Sequence, residues 1–295
     1  MEKKIYNNFK IDDGSKFFLS DFPTTYKKKD IDKVEGELLI QKDIEELASL
    51  QDILYANNRH AVLIIIQAMD AAGKDGTIKH IMSGVNPTGV NISSFKSPSS
   101  KELDHDYFWR HYISLPGKGE IGIFNRSHYE NVLITKVHPE FILNEHHSDI
   151  KSLKDINKSF WQKRYKQICR FEENLIENDT IILKFFLHVS KDIQKKRFLD
   201  RIDDSSKNWK FSSADLKERA FWDDYQSAYE DAITNTSTKS APWFIIPADE
   251  KWYTRYLVGN IICSELKKLD LSYPTINQPD KLALLKAKEA LLNEK

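Results

Sequence analysis

An unbroken apolar run at residues 61–66 (AVLIII) is the feature that most constrains the fold of this chain. A strand that is apolar along its whole length is typical of a parallel sheet covered by helices on both faces. Before it, residues 30–57 carry large aliphatic side chains at three- and four-residue steps, which predicts a helix with one apolar stripe. Together these two segments predict a helix that leads directly into the first buried strand of an α/β domain.

Four further segments have strand-like apolar patterns, at residues 90–95, 121–124, 180–189 and 243–247. Helical patterns separate most of them, which favours right-handed crossovers between parallel strands and a doubly wound sheet. Residues 251–268 predict a closing helix, and residues 281–293 predict a short amphipathic helix outside the core.

The segment that follows the first strand, residues 69–77 (MDAAGKDGT), has the pattern of a tight small-residue turn, Gly-Lys and a helix start. Such a loop turns backbone N–H groups toward phosphate oxygens, and the helix adds its positive N-terminal end. Lys74 supplies a mobile positive charge for a transferring phosphoryl group. The loop residues predicted to surround phosphate are Ala71, Ala72, Gly73, Asp75, Gly76 and Thr77.

This loop departs from the pattern G-x-x-x-x-G-K-[ST] in an informative way. Ala68 stands at the first glycine, and Asp75 replaces the hydroxyl residue that would hold Mg²⁺. A loop carboxylate, Asp70 or Asp75, is able to take over the cation, because Mg²⁺ prefers carboxylate oxygen and retained water. The sequence therefore predicts a phosphate loop that works with Mg²⁺ or Mn²⁺.

A second polar constellation follows the strand at 121–124, in residues 125–130 (NRSHYE). Ligands of open α/β sheets bind beyond the carboxyl ends of the strands, so these residues are expected beside the phosphate loop. Asn125 is able to orient a metal-bound water or a phosphate, and Arg126 offers a planar fork suited to phosphate. His128 is either a structural, hydrogen-bonded histidine or a member of the site.

In their order along the chain, these motifs resemble those of the polyphosphate kinase 2 family. The resemblance covers about residues 35–270 and includes residues 208–212 (NWKFS), 241–243 (APW) and 247–251 (PADEK). It implies a three-layer α/β/α P-loop kinase fold, similar to thymidylate kinase, with a parallel sheet and a mobile helical lid. It also implies Mg²⁺-dependent transfer of phosphate from polyphosphate to a nucleotide.

On this resemblance, the chain divides into an N-terminal extension and helix (1–58), a phosphotransferase domain (59–270) and a helical tail (271–295), with the lid segment at about 201–225. Homodimers or homotetramers are the oligomers that the family implies. The competing functions are an ATP-dependent nucleoside monophosphate kinase of the same fold and a non-catalytic nucleotide sensor.

The resemblance also assigns roles to individual residues. Asp70, Lys74, Asn125 and Arg126 are the expected catalytic residues, with Asp70 and Asn125 as metal ligands. Asn125 followed by His-Tyr-Glu resembles the subgroup that accepts both AMP and ADP, so the expected products are ADP and ATP. Glu130 matches a position that the family uses to discriminate nucleotides, and Asn131 departs from the acidic residue expected there.

Basic residues gather in two segments that are candidates for holding a polyanion. In residues 191–219, which include Lys207, the resemblance makes Arg197, Arg201 and Lys210 the best phosphate contacts of a closing lid. Residues 151–170 carry seven basic residues against Asp155, as either a solvated helix face or an outer track for the polymer. Arg110 is either a salt-bridge residue at the core edge or a phosphate ligand.

Composition excludes several other classes. Lys+Arg and Asp+Glu each number 44, so the chain lacks the basic excess that would indicate a nucleic-acid partner. Cys169 and Cys263 are too few for a disulfide framework and are expected to be reduced core residues. With no apolar run near ~18 residues and no signal-peptide core, the chain is expected to be cytoplasmic and without a membrane partner.

Overall fold

The computed structural model describes residues 5–16, 18–26 and 31–294. Its strands are β1 (Lys10–Ile11), β2 (Ala61–Ala68), β3 (Val90–Ser94), β4 (Ile121–Asn125), β5 (Thr180–His188) and β6 (Trp243–Pro247). Its α-helices are α1 (Lys33–Asn57), α2 (Lys74–Ile81), α3 (Ser100–Leu103), α4 (Trp109–Tyr112), α5 (Ile134–Val137), α6 (Lys158–Glu177), α7 (Lys191–Asp203), α8 (Ser213–Ala220), α9 (Trp222–Thr236), α10 (Lys251–Leu266) and α11 (Gln278–Leu292).

The strands form one sheet in the order β1-β6-β5-β2-β4-β3. All neighbouring strands are parallel except β1, which pairs antiparallel with β6. The five strands and the terminal helices expected from the sequence are confirmed, within a few residues at their ends. β1 was not expected, because a strand of two residues has no periodicity to recognise.

Helices cover the sheet on both faces, as the three-layer prediction requires. α6 packs with α9, while α1 and α2 pack with α10. All eight residues of β2 are buried at the centre of the sheet. Among the described residues, none of the helices has the length and apolar character needed to cross a bilayer. The two cysteines are unbridged; Cys263 is buried in α10 and Cys169 is partly exposed on α6.

A fully buried ion-pair network lies beneath the end of β4. Lys184, in the middle of β5, donates to Glu172 Oε2 (2.6 Å), the Tyr129 hydroxyl (3.0 Å) and the Thr236 carbonyl (2.8 Å). Tyr129 in turn donates to Glu172 Oε1 at 2.7 Å. Because the four residues come from different segments, the network fixes the short 3-10 helix His128–Val132 against β5 and α6. That helix begins two residues after Arg126, with Ser127 as its N-cap.

We predict that Lys184→Met lowers the free energy of unfolding by about 3–5 kcal/mol, because it leaves Glu172 buried without its cation. The double variant Lys184→Met/Glu172→Gln, which removes both charges, should recover part of that loss. Urea unfolding of the three proteins measures the difference. A single variant as stable as the unsubstituted protein would show that the pair contributes nothing to folding.

Candidate active site

The phosphate loop joins β2 to α2 in a strained turn. Ala71 has a φ of +59° and Gly73, which caps α2, has a φ of +108°. The left-handed region costs a side-chain-bearing residue about 1–3 kcal/mol and costs glycine little, so surrounding contacts must hold Ala71 there. The chain thereby reverses within a few residues and presents the N-terminus of α2 at the edge where the parallel strands end.

Arg197 of α7 supplies those contacts. Its guanidinium donates to the carbonyl oxygens of Ala71 (3.0 Å) and Ala72 (2.8 Å) in the loop. It also donates to the carbonyls of Ala248 (2.7 Å) and Asp249 (2.9 Å) after β6. The side chain is therefore used to hold the loop against the end of β6, and its expected contact with phosphate stays a prediction.

Lys74 folds back over the loop that it follows. Its Nζ donates to the carbonyl of Ala68 at 3.0 Å, in a half-buried position. Burial lowers the pKa of Lys74, while the carboxylate of Asp70 acts in the opposite direction. The ammonium group lies at the mouth of the loop, where an incoming phosphate oxygen is able to replace the carbonyl as its acceptor.

Arg126 crosses from β4 to the loop and forms the central ion pair. Its Nη2 donates to Asp70 Oδ1 at 3.0 Å, and its Nη1 lies 4.0 Å from Glu130 Oε2. Its own φ is +62°, and its backbone N–H donates to the Ile66 carbonyl at 3.2 Å. Glu130 first, and then Asp70, raise the pKa of Arg126 against the effect of burial. Asp70, Lys74 and Arg126 therefore meet, as the sequence predicted.

Asn125 and Asp75 meet at the same place. The Asn125 amide donates to Asp75 Oδ1 at 2.8 Å, which links the end of β4 to the first turn of α2. Carboxylate and amide oxygens are the hard donors that Mg²⁺ prefers. The oxygen-rich set of Asp70, Asp75 and Asn125 at the loop therefore fits a Mg²⁺ or Mn²⁺ ion.

Gln67 is a site residue that sequence reasoning missed. It is fully buried at the end of β2, and when its amide is oriented so that each atom meets a complementary partner, the nitrogen lies 3.0 Å from Glu130 Oε1. Its amide oxygen accepts from the Ser127 hydroxyl (3.1 Å) and backbone N–H (3.0 Å). Burial raises the pKa of Glu130, whereas Arg126 and Lys74 lower it. A glutamine in an otherwise apolar strand was the available signal.

A cavity of about 800 Å³ opens beside Arg126 and Glu130. Aromatic rings line much of it, with Phe108 and Phe171 stacked at 4.6 Å. Arg110 lies in its wall, 3.6 Å from Glu102 and over the ring of Phe95 at 5.4 Å. Both interpretations of Arg110 thus find support, since it is salt-bridged and also faces the cavity.

The other basic candidates are scattered. Arg201 lies over the ring of Phe198 at 5.7 Å, and Lys207 pairs with Asp204 in the turn after α7. The side chain of Lys210 lies outside the described part of the structure. Among these basic candidates with a described side chain, only Arg197, which precedes the expected lid segment, contacts the phosphate loop directly.

Two residues that the sequence left open, Arg164 and His128, are buried and support the fold rather than a binding site. Arg164, counted in the 151–170 segment, is buried and donates to both oxygens of Glu145, at 3.0 and 2.5 Å. Arg164 therefore belongs neither to a solvated helix face nor to an outer track for polyphosphate. His128 is fully buried with Nε2 3.4 Å from Glu172 Oε1, which decides for the structural alternative.

We predict that Gln67→Glu makes stability fall as pH rises. A second carboxylate beside Glu130 raises the pKa of the pair, so the folded state binds a proton that the unfolded state has already lost. The deficit in free energy of unfolding relative to the unsubstituted protein should therefore grow between about pH 5 and pH 8.

The matched variant is Gln67→Leu, which removes the hydrogen bonds without adding charge. Its loss should be about 1–3 kcal/mol and should change less between pH 5 and pH 8 than the loss in Gln67→Glu, because Glu130 then loses a hydrogen bond but gains no neighbouring charge. Urea unfolding at both pH values provides the measurement. A Gln67→Glu deficit of the same size at both would contradict the contact with Glu130.

Known proteins resemble this chain in both sequence and fold. The family model described as Polyphosphate kinase 2 (PPK2) matches residues 30–273. An ADP-polyphosphate phosphotransferase of Rhodopseudomonas palustris is 47% identical over 96% of this chain and 97% of its own length. An AMP/ADP-polyphosphate phosphotransferase of Meiothermus ruber is 48% identical over 77% of this chain and 80% of its own.

The crystal structure of Polyphosphate Kinase 2 from Arthrobacter aurescens superposes with a TM-score of 0.84 at 36% identity, covering 95% of each chain. By its sequence and by its fold, this chain belongs to the polyphosphate kinase 2 family.

Proposed function

We propose that this chain transfers the terminal phosphate of inorganic polyphosphate to AMP and ADP, to give ADP and ATP. The observation that carries the proposal is the meeting of Asp70, Lys74 and Arg126 between a phosphate loop and an aromatic cavity. The named relatives act on polyphosphate together with ADP, or with AMP and ADP, which supports a polymer donor over ATP.

Phosphoryl transfer requires little covalent work from the protein, so catalysis consists of positioning and charge neutralisation. The backbone N–H groups after Asp70 and the N-terminus of α2 surround the transferring phosphate. Lys74 and Arg126 neutralise the charge that develops on it. Both cations already lie beside the loop, so substrate phosphate replaces the Ala68 carbonyl and competes with Asp70 for them.

The cavity is the proposed acceptor site. Its aromatic walls suit a nucleoside, and Arg126, which lines it and also contacts Asp70, directs the acceptor phosphate toward the loop. Glu130, which Gln67 holds in place, lies where it is able to distinguish acceptors. Arg110 in the cavity wall is a further proposed contact for the acceptor phosphate.

Asp70 and Asn125, together with Asp75, are the proposed ligands of Mg²⁺ or Mn²⁺. When bound there, the cation would neutralise phosphate oxygens that the side chains do not reach. Without it, the carboxylates of Asp70 and Asp75 would repel a polyanionic substrate.

Residues 201–225 are the proposed lid, with donor contacts from Arg201, Lys207 and Lys210. The exposure of α8 supports this assignment. A homo-oligomer and a cytoplasmic location are also proposed. Five leucines of α11 are exposed (Leu282, Leu284, Leu285, Leu291 and Leu292), which supports contact with a second copy.

We predict that Lys74→Ala lowers kcat for polyphosphate-dependent ATP formation by about 10²–10³, the usual loss for one transition-state contact. The assay supplies polyphosphate or ATP as donor and AMP or ADP as acceptor, with Mg²⁺ present or chelated. Lys79→Ala, at an exposed position of the same helix, is the control. Transfer from ATP alone would contradict the proposed donor, and a fully active Lys74→Ala would remove this residue from the mechanism.

We predict that Asn125→Asp changes the ratio of kcat/KM for AMP and ADP by about tenfold or more, an effect of roughly 1.4 kcal/mol. The substitution puts a carboxylate against Asp75, which alters metal placement differently for acceptors with one and two phosphates. The KM for polyphosphate should change little, because the polymer tail is screened from the new charge beyond about 8 Å.

Asn91→Asp is the matched control for this substitution. The Asn91 amide also donates to a carboxylate, Glu120 Oε2 at 3.0 Å, but at the opposite end of the sheet from the loop. Steady-state kinetics with each substrate varied in turn provides the measurement. An unchanged acceptor ratio with a shifted polyphosphate KM would assign Asn125 to the donor site.

A further inference from the structure

One buried amide joins the phosphate loop to the helix α8 of the proposed lid. Gln194 of α7 is 1% exposed, and its Nε2 donates to the main-chain carbonyl of Asp70 at 3.0 Å. Its Oε1 accepts from Arg219 Nη1 of α8 at 2.5 Å. The orientation is determined by its neighbours, because a reversed amide would place its NH₂ against a guanidinium and its oxygen against a carbonyl.

Helix α8 depends on polar contacts of this kind for its position. Every residue of α8 (213–220), all of them within the described range, is at least partly exposed, so apolar burial holds it weakly. Arg219 anchors one side through Gln194 and the Lys191 carbonyl (2.9 Å). Glu218 anchors the other through His138 (2.9 Å) and Tyr225 (2.6 Å).

The other end of the relay acts on Asp70. Gln194 holds its carbonyl while Arg126 holds its carboxylate, so two side chains determine how this residue enters the strained turn at Ala71. If α8 moved away, Arg219 would leave with it and Gln194 would lose the partner that orients its amide. The Asp70 carbonyl would then lose a fixed donor, and the loop would be less strongly held.

We infer that Gln194 is a positioning residue that couples docking of α8, through Arg219, to the conformation of the phosphate loop. Gln194 contacts no substrate; it acts through the backbone of Asp70. The consequence for turnover rests on the proposed function, whereas the mechanical coupling of Arg219 to the loop does not.

The first test is amide hydrogen exchange of residues 69–76 in Gln194→Met, Arg219→Met and the double variant. Both single variants should exchange faster in this segment, although Arg219 does not touch it, and the double variant should match the faster single one. Gln41→Met, at an exposed glutamine of α1, is the control and should leave the segment unchanged. Faster exchange in Gln194→Met alone would overturn the coupling, and no change in either variant would overturn the positioning role.

The second test is steady-state kinetics of the same proteins. Each single variant should lower kcat for transfer from polyphosphate by about 10- to 100-fold, as expected when a catalytic loop is misplaced by about 1 Å. The kcat of the double variant should lie within about twofold of the kcat of the less active single variant, because both substitutions break the same relay. A double variant whose loss of kcat equals the product of the two single losses would contradict the relay.

If the unsubstituted protein does not use polyphosphate, the proposed function fails, and the hydrogen-exchange experiment still decides the inference.

Discussion

The in-register pairing of β2 with β4 is the constraint on which the site depends. Ile66 lies opposite Asn125, so β4 ends where β2 has two residues left before the phosphate loop. The Ile66 carbonyl then accepts the backbone N–H of Arg126, which turns the chain with a positive φ and directs the guanidinium toward Asp70. A slip of one residue would reverse the face to which each side chain points and separate the loop from its arginine.

Buried polar residues hold this edge of the sheet from below. Lys184, Glu172 and Tyr129 fix the helix after Arg126, and Gln67 fixes Glu130. Each of these groups is costly to bury without partners, so the arrangement is favourable only when all the contacts form together. That requirement makes the position of the site residues specific, and it explains why polar side chains interrupt an otherwise apolar sheet.

The motif residues could be predicted because their placement depends on few other parts of the chain. A buried strand, a small-residue turn and a Gly-Lys helix start are all local patterns, and parallel strands bring their carboxyl ends to one edge. The grouping of Asp70, Lys74, Asn125 and Arg126 followed from that rule. Arg197 was also expected near phosphate, yet its donors go to the backbone carbonyls of the loop and of the chain after β6.

By itself the sequence determined the parallel α/β core from its periodicity, the phosphate loop from a motif of adjacent residues, and the family from the resemblance of several such motifs to those of known proteins. Only the tertiary structure decided which polar side chains support the site. Gln194 and its acceptor Asp70 lie 124 positions apart in the sequence, and Lys184 and its acceptor Thr236 lie 52 positions apart. The physical reason is that a hydrogen bond depends on distance and direction, which long-range packing sets and local pattern does not.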